Sequence, residues 1–350
     1  MTRLAQLTTL RVGGPAREYV EASTEAELID AVRSADAADI PLLVLGGGSN
    51  LLVGDEGFDG RVVRDVRATM STQDDGFCGG VSLTLAAGTP WDVAVEKAVA
   101  EGWVGVEALS GIPGSAGAAP VQNIGAYGAE LADTLASVKV WDREQSKVRT
   151  LFAVELGFGY RDSVLKRSLT QGHAPTPRHV VLDVTLQMRF GTRSAPVRYA
   201  QLADALGVAI GETASTAQVR EAVLALRAAK GMVLDANDPD TWSAGSFFTN
   251  PLVDDASLPA DAPRFPASGA SPGVVKTSAA WLIEHAGFGR GFGLDGSHAS
   301  LSTKHTLAVT NRGGATAAEL VELARHVRDG VRERFGVALE PEPVLVGITL

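Results

Sequence analysis

Between Gly111 and Gly128 the chain reads GIPGSAGAAPVQNIGAYG, 18 residues with neither the 3.6-residue period of a helix nor the alternation of a strand. A compact domain carries so long an irregular stretch mainly where it serves a ligand. Backbone that must approach a ligand closely, or turn through φ > 0, needs residues without a Cβ. The chain is rich in them, with 39 Gly among 350 residues. A second such strip, Gly46-Gly47-Gly48-Ser49-Asn50, follows the apolar run Leu42 to Leu45. Backbone N–H groups hold phosphate oxygens, so both strips are candidate phosphate cradles; each is equally compatible with an ordinary tight turn. No G-x-G-x-x-G sequence is present, because the nearest candidate, GFGRGF from Gly287, ends in Phe292. A Rossmann nucleotide domain thus loses its main sequence support.

At about 100–200 residues per domain, a chain of this length is expected to form two or three domains. The hydrophobic share of 45% and charged share of 21% exclude a disordered or coiled-coil chain. Lys plus Arg number 31 against 41 Asp plus Glu, a net charge of −10, the wrong sign for a protein that tracks a polyphosphate, so no nucleic-acid partner is expected. The one cysteine, Cys78, excludes an intramolecular disulfide and a cysteine-cluster zinc site, and fits a reducing compartment. MTRLAQLTTLRVGG lacks the apolar stretch of a secretory signal, and no run approaches the roughly 20 residues that span a bilayer. The reading is a soluble, cytoplasmic protein with no membrane partner. Of six histidines only His298 and His305 lie close together, without HExxH or facial-triad spacing, so no metal is expected. AGSFF lacks the second glycine of a G-x-S-x-G nucleophile elbow.

Thr24 and Glu27 have the spacing of a capping box ahead of Leu28, Ile29 and Val32. Leu42 to Leu45 and Val62-Val63 read as strands, and the polar segment Ser71 to Gly80 as a boundary. Val81, Leu83 and Leu85 alternate on one strand face, and Thr89-Pro90 opens a helix through Glu101. Residues 137–151 read as a hairpin, Val180 to Met188 as a strand, and Gly191 to Pro196 as a boundary or excursion. Val219, Val223 and Leu226 mark an amphipathic helix running toward Lys230. Leu320, Leu323, Val327, Val331 and Phe335 form one stripe of a long helix from Thr316, with Gly336 where a C-cap belongs.

RVGGPA (Arg11 to Ala16), LGGGSNLLV (Leu45 to Val53), SGIPGSAGAAPVQNIGAYG (Ser110 to Gly128), GFGYRDS (Gly157 to Ser163), AGSFFTNP (Ala244 to Pro251), KTSAAWLIEHAGF (Lys276 to Phe288) and LEPEP (Leu339 to Pro343) follow one another along the chain. In this order they resemble the UDP-N-acetylenolpyruvoylglucosamine reductase (MurB) family, flavoenzymes that complete UDP-N-acetylmuramate for peptidoglycan. The resemblance covers nearly the whole chain; no single motif carries it. Tyr199 in PVRYAQL points to the longer class of the family, which places a tyrosine over the substrate diphosphate.

The resemblance implies an α+β and α/β architecture. A two-subdomain FAD-binding fold of the PCMH, vanillyl-alcohol-oxidase type would be joined to a C-terminal α/β substrate-binding domain. Residues 1–75, rejoined by the tail 342–350, would form the first FAD-binding subdomain, 76–200 the second, and 201–341 the substrate-binding domain. FAD would be held by Gly46, Gly47, Gly48, Ser49 and Asn50 and by Gly111, Ile112, Pro113, Gly114 and Ser115. Asn123, Ile124, Gly125 and Tyr127 would line the flavin, and Arg227 would contact the cofactor. NADPH would be the reductant and UDP-N-acetylglucosamine enolpyruvate the substrate, on a monomeric enzyme. Reducing an enolpyruvyl ether calls for hydride delivery, stabilisation of a developing enolate and a proton donor. The resemblance implies Ser246 as that donor, with Arg161 and Glu342 completing the catalytic set. Tyr199 and Lys230 would meet the diphosphate, and Asn250 would be a substrate contact. Positions 227 and 230 share a helix face, so one helix end could serve both ligands. Ser302-Thr303-Lys304-His305 also resembles a family segment, for which a substrate role stays open, with His305 read in preference as structural. Pro343 departs from the family, which more often has valine there. The rival readings are a flavin oxidase of the wider superfamily, which needs no serine acid, and a catalytically silent nucleotide-sugar binder.

Overall fold

The structure, a computed structural model, describes residues 1–74, 76–266 and 271–350. The chain forms two compact units, one from residues 16–48 and 59–229, the other from 2–15, 49–58 and 230–350.

In the first unit a three-stranded sheet has the order Ala16–Ala22, Phe58–Asp65, Leu42–Leu45, the last pair parallel. Helix Glu25–Ala37 begins with the expected capping box, in which the Thr24 hydroxyl accepts from the Glu27 N–H and the Glu27 carboxylate accepts from the Thr24 N–H. It buries Leu28, Val32 and Ala35 among Ala22, Leu42, Val63, Trp141, Val180 and Leu182. A larger antiparallel sheet runs in the order Lys147–Phe152, Leu135–Asp142, His179–Phe190, Val81–Ala86, Met70–Asp74. The first two are the expected hairpin. Val81, Leu83 and Leu85 face Trp91, Ala94, Val95 and Ala98 of helix Trp91–Ala100, as their alternation requires.

Two expected boundaries fall inside this unit. Ser71 to Asp74, taken from its polarity as the edge of a subdomain, is strand paired with Val81 to Thr84 of the large sheet. A strand at a sheet edge carries polar residues without losing its pairing, which is why composition misleads there. Asp75, where the division was drawn, lies outside the described residues. Gly191 to Pro196 is an excursion and not a boundary. Beyond it, Val197, Leu202 and Ala203 bury against Val219 and Val223 of helix Thr216–Ala229, so residues 200–229 belong to the first unit.

In the second unit helix Ala317–Phe335 is the spine. Its left-handed Gly336 C-cap is as expected, and the structure adds a capping box formed by Thr316 and Glu319. Leu320, Leu323, Val327 and Val331 bury against Phe247, Phe248, Leu282, Ile283, Leu301 and Val309. Leu10, Val12 and Leu52, from far earlier in the chain, complete that core. The C-terminal strand Val344–Val346 pairs in parallel with Leu51–Val53. The tail thus returns to residues of the N-terminal 75, yet those residues are themselves part of the second unit.

Candidate active site

The two glycine strips meet within the first unit. A Cβ built on Gly47 would lie 2.6 Å from the Gly114 Cα, and one on Gly46 would run into the Ser115 Oγ. Gly47 therefore meets Gly114 backbone to backbone, while Gly46 is closed in by the Ser115 side chain. Gly48, Gly111 and Gly114 have φ of 63°, 70° and 123°, which a side chain would strain. The second strip is laid against the start of helix Trp91–Ala100. The Trp91 N–H donates to Gly114 O (3.0 Å), Ala116 N–H to Thr89 O (2.8 Å), and Gly111 N–H to Asp92 Oδ1 (2.6 Å). Gly111 follows a short 3-10 turn, Glu107–Leu109, so this strip does not directly follow a strand.

Asn123, Tyr127 and Arg161 all have positive φ, at 48°, 51° and 53°. Such conformations in residues with side chains cost on the order of 1–3 kcal/mol and gather at functional sites. Asn123 is fully buried and its side chain is consumed internally. Its Nδ2 donates to Glu130 Oε2 (2.7 Å) and Gly159 O (3.2 Å), and its Oδ1 accepts from Ala132 N–H (3.0 Å). It thus braces the turn Gly159 to Asp162, at whose tip sits Arg161. Arg161 Nη2 donates to Gly125 O (2.9 Å), joining two expected site segments. Tyr127 and Tyr199 meet edge to face, ring centroids 5.6 Å apart. Arg227 is buried. Burial pushes its basicity down; burial also raises the Tyr127 phenol, against the pull of the Arg227 charge. Tyr199, expected at the substrate, thus adjoins Tyr127, expected at the cofactor.

The second unit links Glu342 to Phe247, the residue after Ser246, and to Asn50 by hydrogen bonds. Glu342 N–H donates to Phe247 O (2.8 Å), Val344 N–H to Asn50 O (3.0 Å), and Asn50 Nδ2 to Glu342 O (3.3 Å). Pro343, which has no N–H to donate, falls between Glu342 and Val344, whose N–H groups make two of these bonds. Ser246 and Glu342 are half-buried. Ser246 lies between Gly245, at φ +73°, and Phe247, whose N–H donates to Leu307 O (2.8 Å). Asn250, expected at the substrate, uses its Oδ1 to accept from Ala279 N–H (2.9 Å) at the start of helix Ala279–His285. Burial, and next the nearby Lys230 charge, push the His305 imidazole down to about 4, so it is neutral at ordinary pH. Ser302, Thr303 and Lys304 are tied to the 235–241 segment: Asp240 accepts from Thr303 N–H (2.7 Å) and Oγ1 (2.6 Å), and Asp238 from Lys304 Nζ (2.5 Å).

Sequence reasoning missed two sets of residues around these groups. Arg220 forms a bidentate pair with Asp92 (2.7 and 2.9 Å), the residue that holds Gly111. Arg11, at φ +54°, stacks 3.8 Å over Trp242, and Thr9 Oγ1 donates to Ser243 O (2.6 Å), clamping the approach to Ser246. RVGGPA was the only signal for the second set, and it carried no chemistry of its own.

Residues 16–151 match the FAD binding domain family, and residues 237–346 the C-terminal domain of UDP-N-acetylenolpyruvoylglucosamine reductase. A UDP-N-acetylenolpyruvoylglucosamine reductase from Cutibacterium acnes is 55% identical, over 99% of this chain and 90% of that protein. One from Saccharopolyspora erythraea is also 55% identical, over 99% and 95%. Among solved structures, UDP-N-acetylenolpyruvylglucosamine reductase (MurB) from Thermus caldophilus has a TM-score of 0.66 at 29% identity, covering 99% of this chain and 97% of that one.

Proposed function

The chain belongs to the UDP-N-acetylenolpyruvoylglucosamine reductase family, and from that premise we propose how its own residues carry the reaction. The activity is the FAD-dependent, NADPH-consuming reduction of UDP-N-acetylglucosamine enolpyruvate to UDP-N-acetylmuramate in peptidoglycan precursor synthesis. The observation that carries it is the 55% identity across 99% of the chain.

The residues present fit FAD, because Gly47 meets Gly114 backbone to backbone and a Cβ on either Gly46 or Gly47 would collide with the second strip. We assign its pyrophosphate to Gly46 through Asn50 and Gly111 through Ser115, the flavin to Asn123, Ile124, Gly125 and Tyr127, and a further contact to Arg227. Since the Asn123 side chain is spent on Glu130 and Gly159, its part there is to shape the backbone. When bound, FAD supplies the hydride that reduces the enolpyruvyl double bond.

Ser246 is the assigned proton donor. An alcohol is far too weak an acid on its own, so its proton must be released into a closed, low-dielectric site beside charged groups. Glu342 and Arg161 are assigned to that charge arrangement, Arg161 toward the substrate carboxylate, where a planar fork matches the anion. Lys230 and Tyr199 are assigned to the diphosphate and Asn250 to a substrate contact. The expected division, FAD on 1–75, 76–200 and the tail 342–350 and substrate on 201–341, is kept in outline, with Arg227 crossing to the cofactor and Arg161 and Tyr199 to the substrate. This is a division of labour and not of packing, since 200–229 packs in the first unit. A cytoplasmic monomer belongs to the same proposal; among the described residues no helix is long and apolar enough to cross a membrane.

Purified protein is expected to show flavin absorbance, to bleach with NADPH, and to regain colour on adding the enolpyruvyl sugar nucleotide under anaerobic conditions. Protein that takes up no FAD supports the silent binder, and colour restored only by oxygen supports the oxidase.

A further inference from the structure

We propose that Asp92 and Arg220 are positioning residues for the cofactor, a salt-bridged strut that fixes the second glycine strip in the form that receives a pyrophosphate. The proposal rests on the reading that the strips hold FAD. Gly111 enters the strip at φ +70°, and its N–H is fixed by Asp92 Oδ1 at 2.6 Å. At the far end main-chain bonds hold the strip, Gly114 O to Trp91 N–H and Ala116 N–H to Thr89 O. Asp92 is therefore the one side chain among these anchors. Its carboxylate is in turn held by both terminal nitrogens of Arg220, whose side chain is 14% exposed.

Arg220 stands on helix Thr216–Ala229, which also carries Arg227. Seven residues are two helical turns, so the two arginines lie on nearly the same face. The strut therefore ties the strip to the helix that presents the assigned FAD-contacting arginine. Burial pushes the Asp92 carboxyl up, but the hydrogen bonds from Arg220 and Gly111, with the Arg220 and Arg227 charges, hold it below its ordinary value. An ionised carboxylate at the mouth of a pyrophosphate site is tolerable only while neutralised. Arg220 supplies that neutralisation, so the two residues are not interchangeable in effect.

The test is release of FAD from holoprotein, read as the rise in flavin fluorescence on dilution, with melting measured at FAD concentrations matched to the same multiple of each variant's Kd. Arg220→Met, which leaves a bare carboxylate beside the strip, is expected to weaken FAD about 10- to 100-fold, the range for a charge-assisted bond. Asp92→Asn is expected to weaken it less, because the amide oxygen still accepts from Gly111. The double variant Asp92→Asn/Arg220→Met should bind more tightly than Arg220→Met alone. Melting at FAD concentrations set to the same multiple of each variant's Kd, where the stabilisation by bound ligand is equal, should stay close to that of the unmodified protein. FAD affinity within twofold in both single variants overturns the proposal, and so does melting that still falls when FAD is matched to each variant's Kd, which marks a merely structural pair. Gly47→Ala separates the two levels of inference. Its Cβ must strike Gly114, so if it too leaves FAD unchanged, the reading of the strips fails; if it alone abolishes binding, only the strut fails.

Discussion

Arg161, Asn123 and Tyr127 show how a residue can be legible in type and opaque in role. Their motifs pointed to a site, and their positive φ values independently mark strained backbone there. What the motif did not convey is that the Asn123 side chain is spent on Glu130 and Gly159, because both partners depend on how the chain folds back. Ser246 is the opposite case. Its immediate surroundings are simple, a left-handed Gly245 before it and a pinned Phe247 after it, and its assigned role is purely chemical. Ser246→Ala should therefore leave FAD content and the NADPH-side half-reaction nearly intact while slowing the substrate-side half-reaction by about 10²–10⁴-fold, the usual worth of positioned proton transfer. Stopped-flow absorbance of each half measures this. Equal slowing of both halves would place Ser246 in the cofactor site or the scaffold, and not at the proton.

Elements whose signals are local were readable: the Thr24 capping box and the Gly336 C-cap lie within a few residues of the helices they close. The strut was not, because Asp92 and Arg220 are 128 residues apart and each alone looks like a solvated helix charge. The cap of helix Ala317–Phe335 carries a consequence for acid stability. Glu319 accepts from His298 N–H (2.8 Å) and from Thr316 N–H (2.7 Å) and Oγ1 (3.0 Å), which hold its carboxyl down to about 2. The His298 ring, 3.5 Å away, adds to this when charged. A carboxyl depressed in the folded state stabilises the fold at pH above its unfolded value, about 4.3, and the contribution drains away as pH falls from there toward 2. In urea melts between pH 6 and 3, Glu319→Gln should be less stable at pH 6 and should lose part of the fall in stability toward pH 3. Parallel curves for the two proteins would show that Glu319 does not set the acid limb.

At the scale of the molecule, the second unit is assembled from three separated stretches, 2–15, 49–58 and 230–350. Hydrophobic periodicity identifies a buried face but not which distant stretch covers it, so Leu10 and Val12 read as an unremarkable N-terminus. The structure instead buries Leu10 completely, beside Leu320 and Leu323 of a helix three hundred residues later. Neighbouring polar bonds hold the same stretch, with Asn311 Nδ2 donating to Leu10 O at 3.1 Å. Leu10→Ala removes a fully enclosed side chain and leaves a cavity, at a cost of about 2–5 kcal/mol depending on how far the walls collapse. The assignment of residues 2–15 to the second unit fixes where that cost must appear. Amide hydrogen exchange of helix Ala317–Phe335 reports it directly, because the slowest amides of a core exchange through its unfolding. Those amides should lose protection by about 30- to several-thousandfold, the same free energy expressed as an equilibrium constant. If they exchange as slowly in Leu10→Ala as in the unmodified protein, the N-terminal stretch is a surface strap and the core of this unit closes without it.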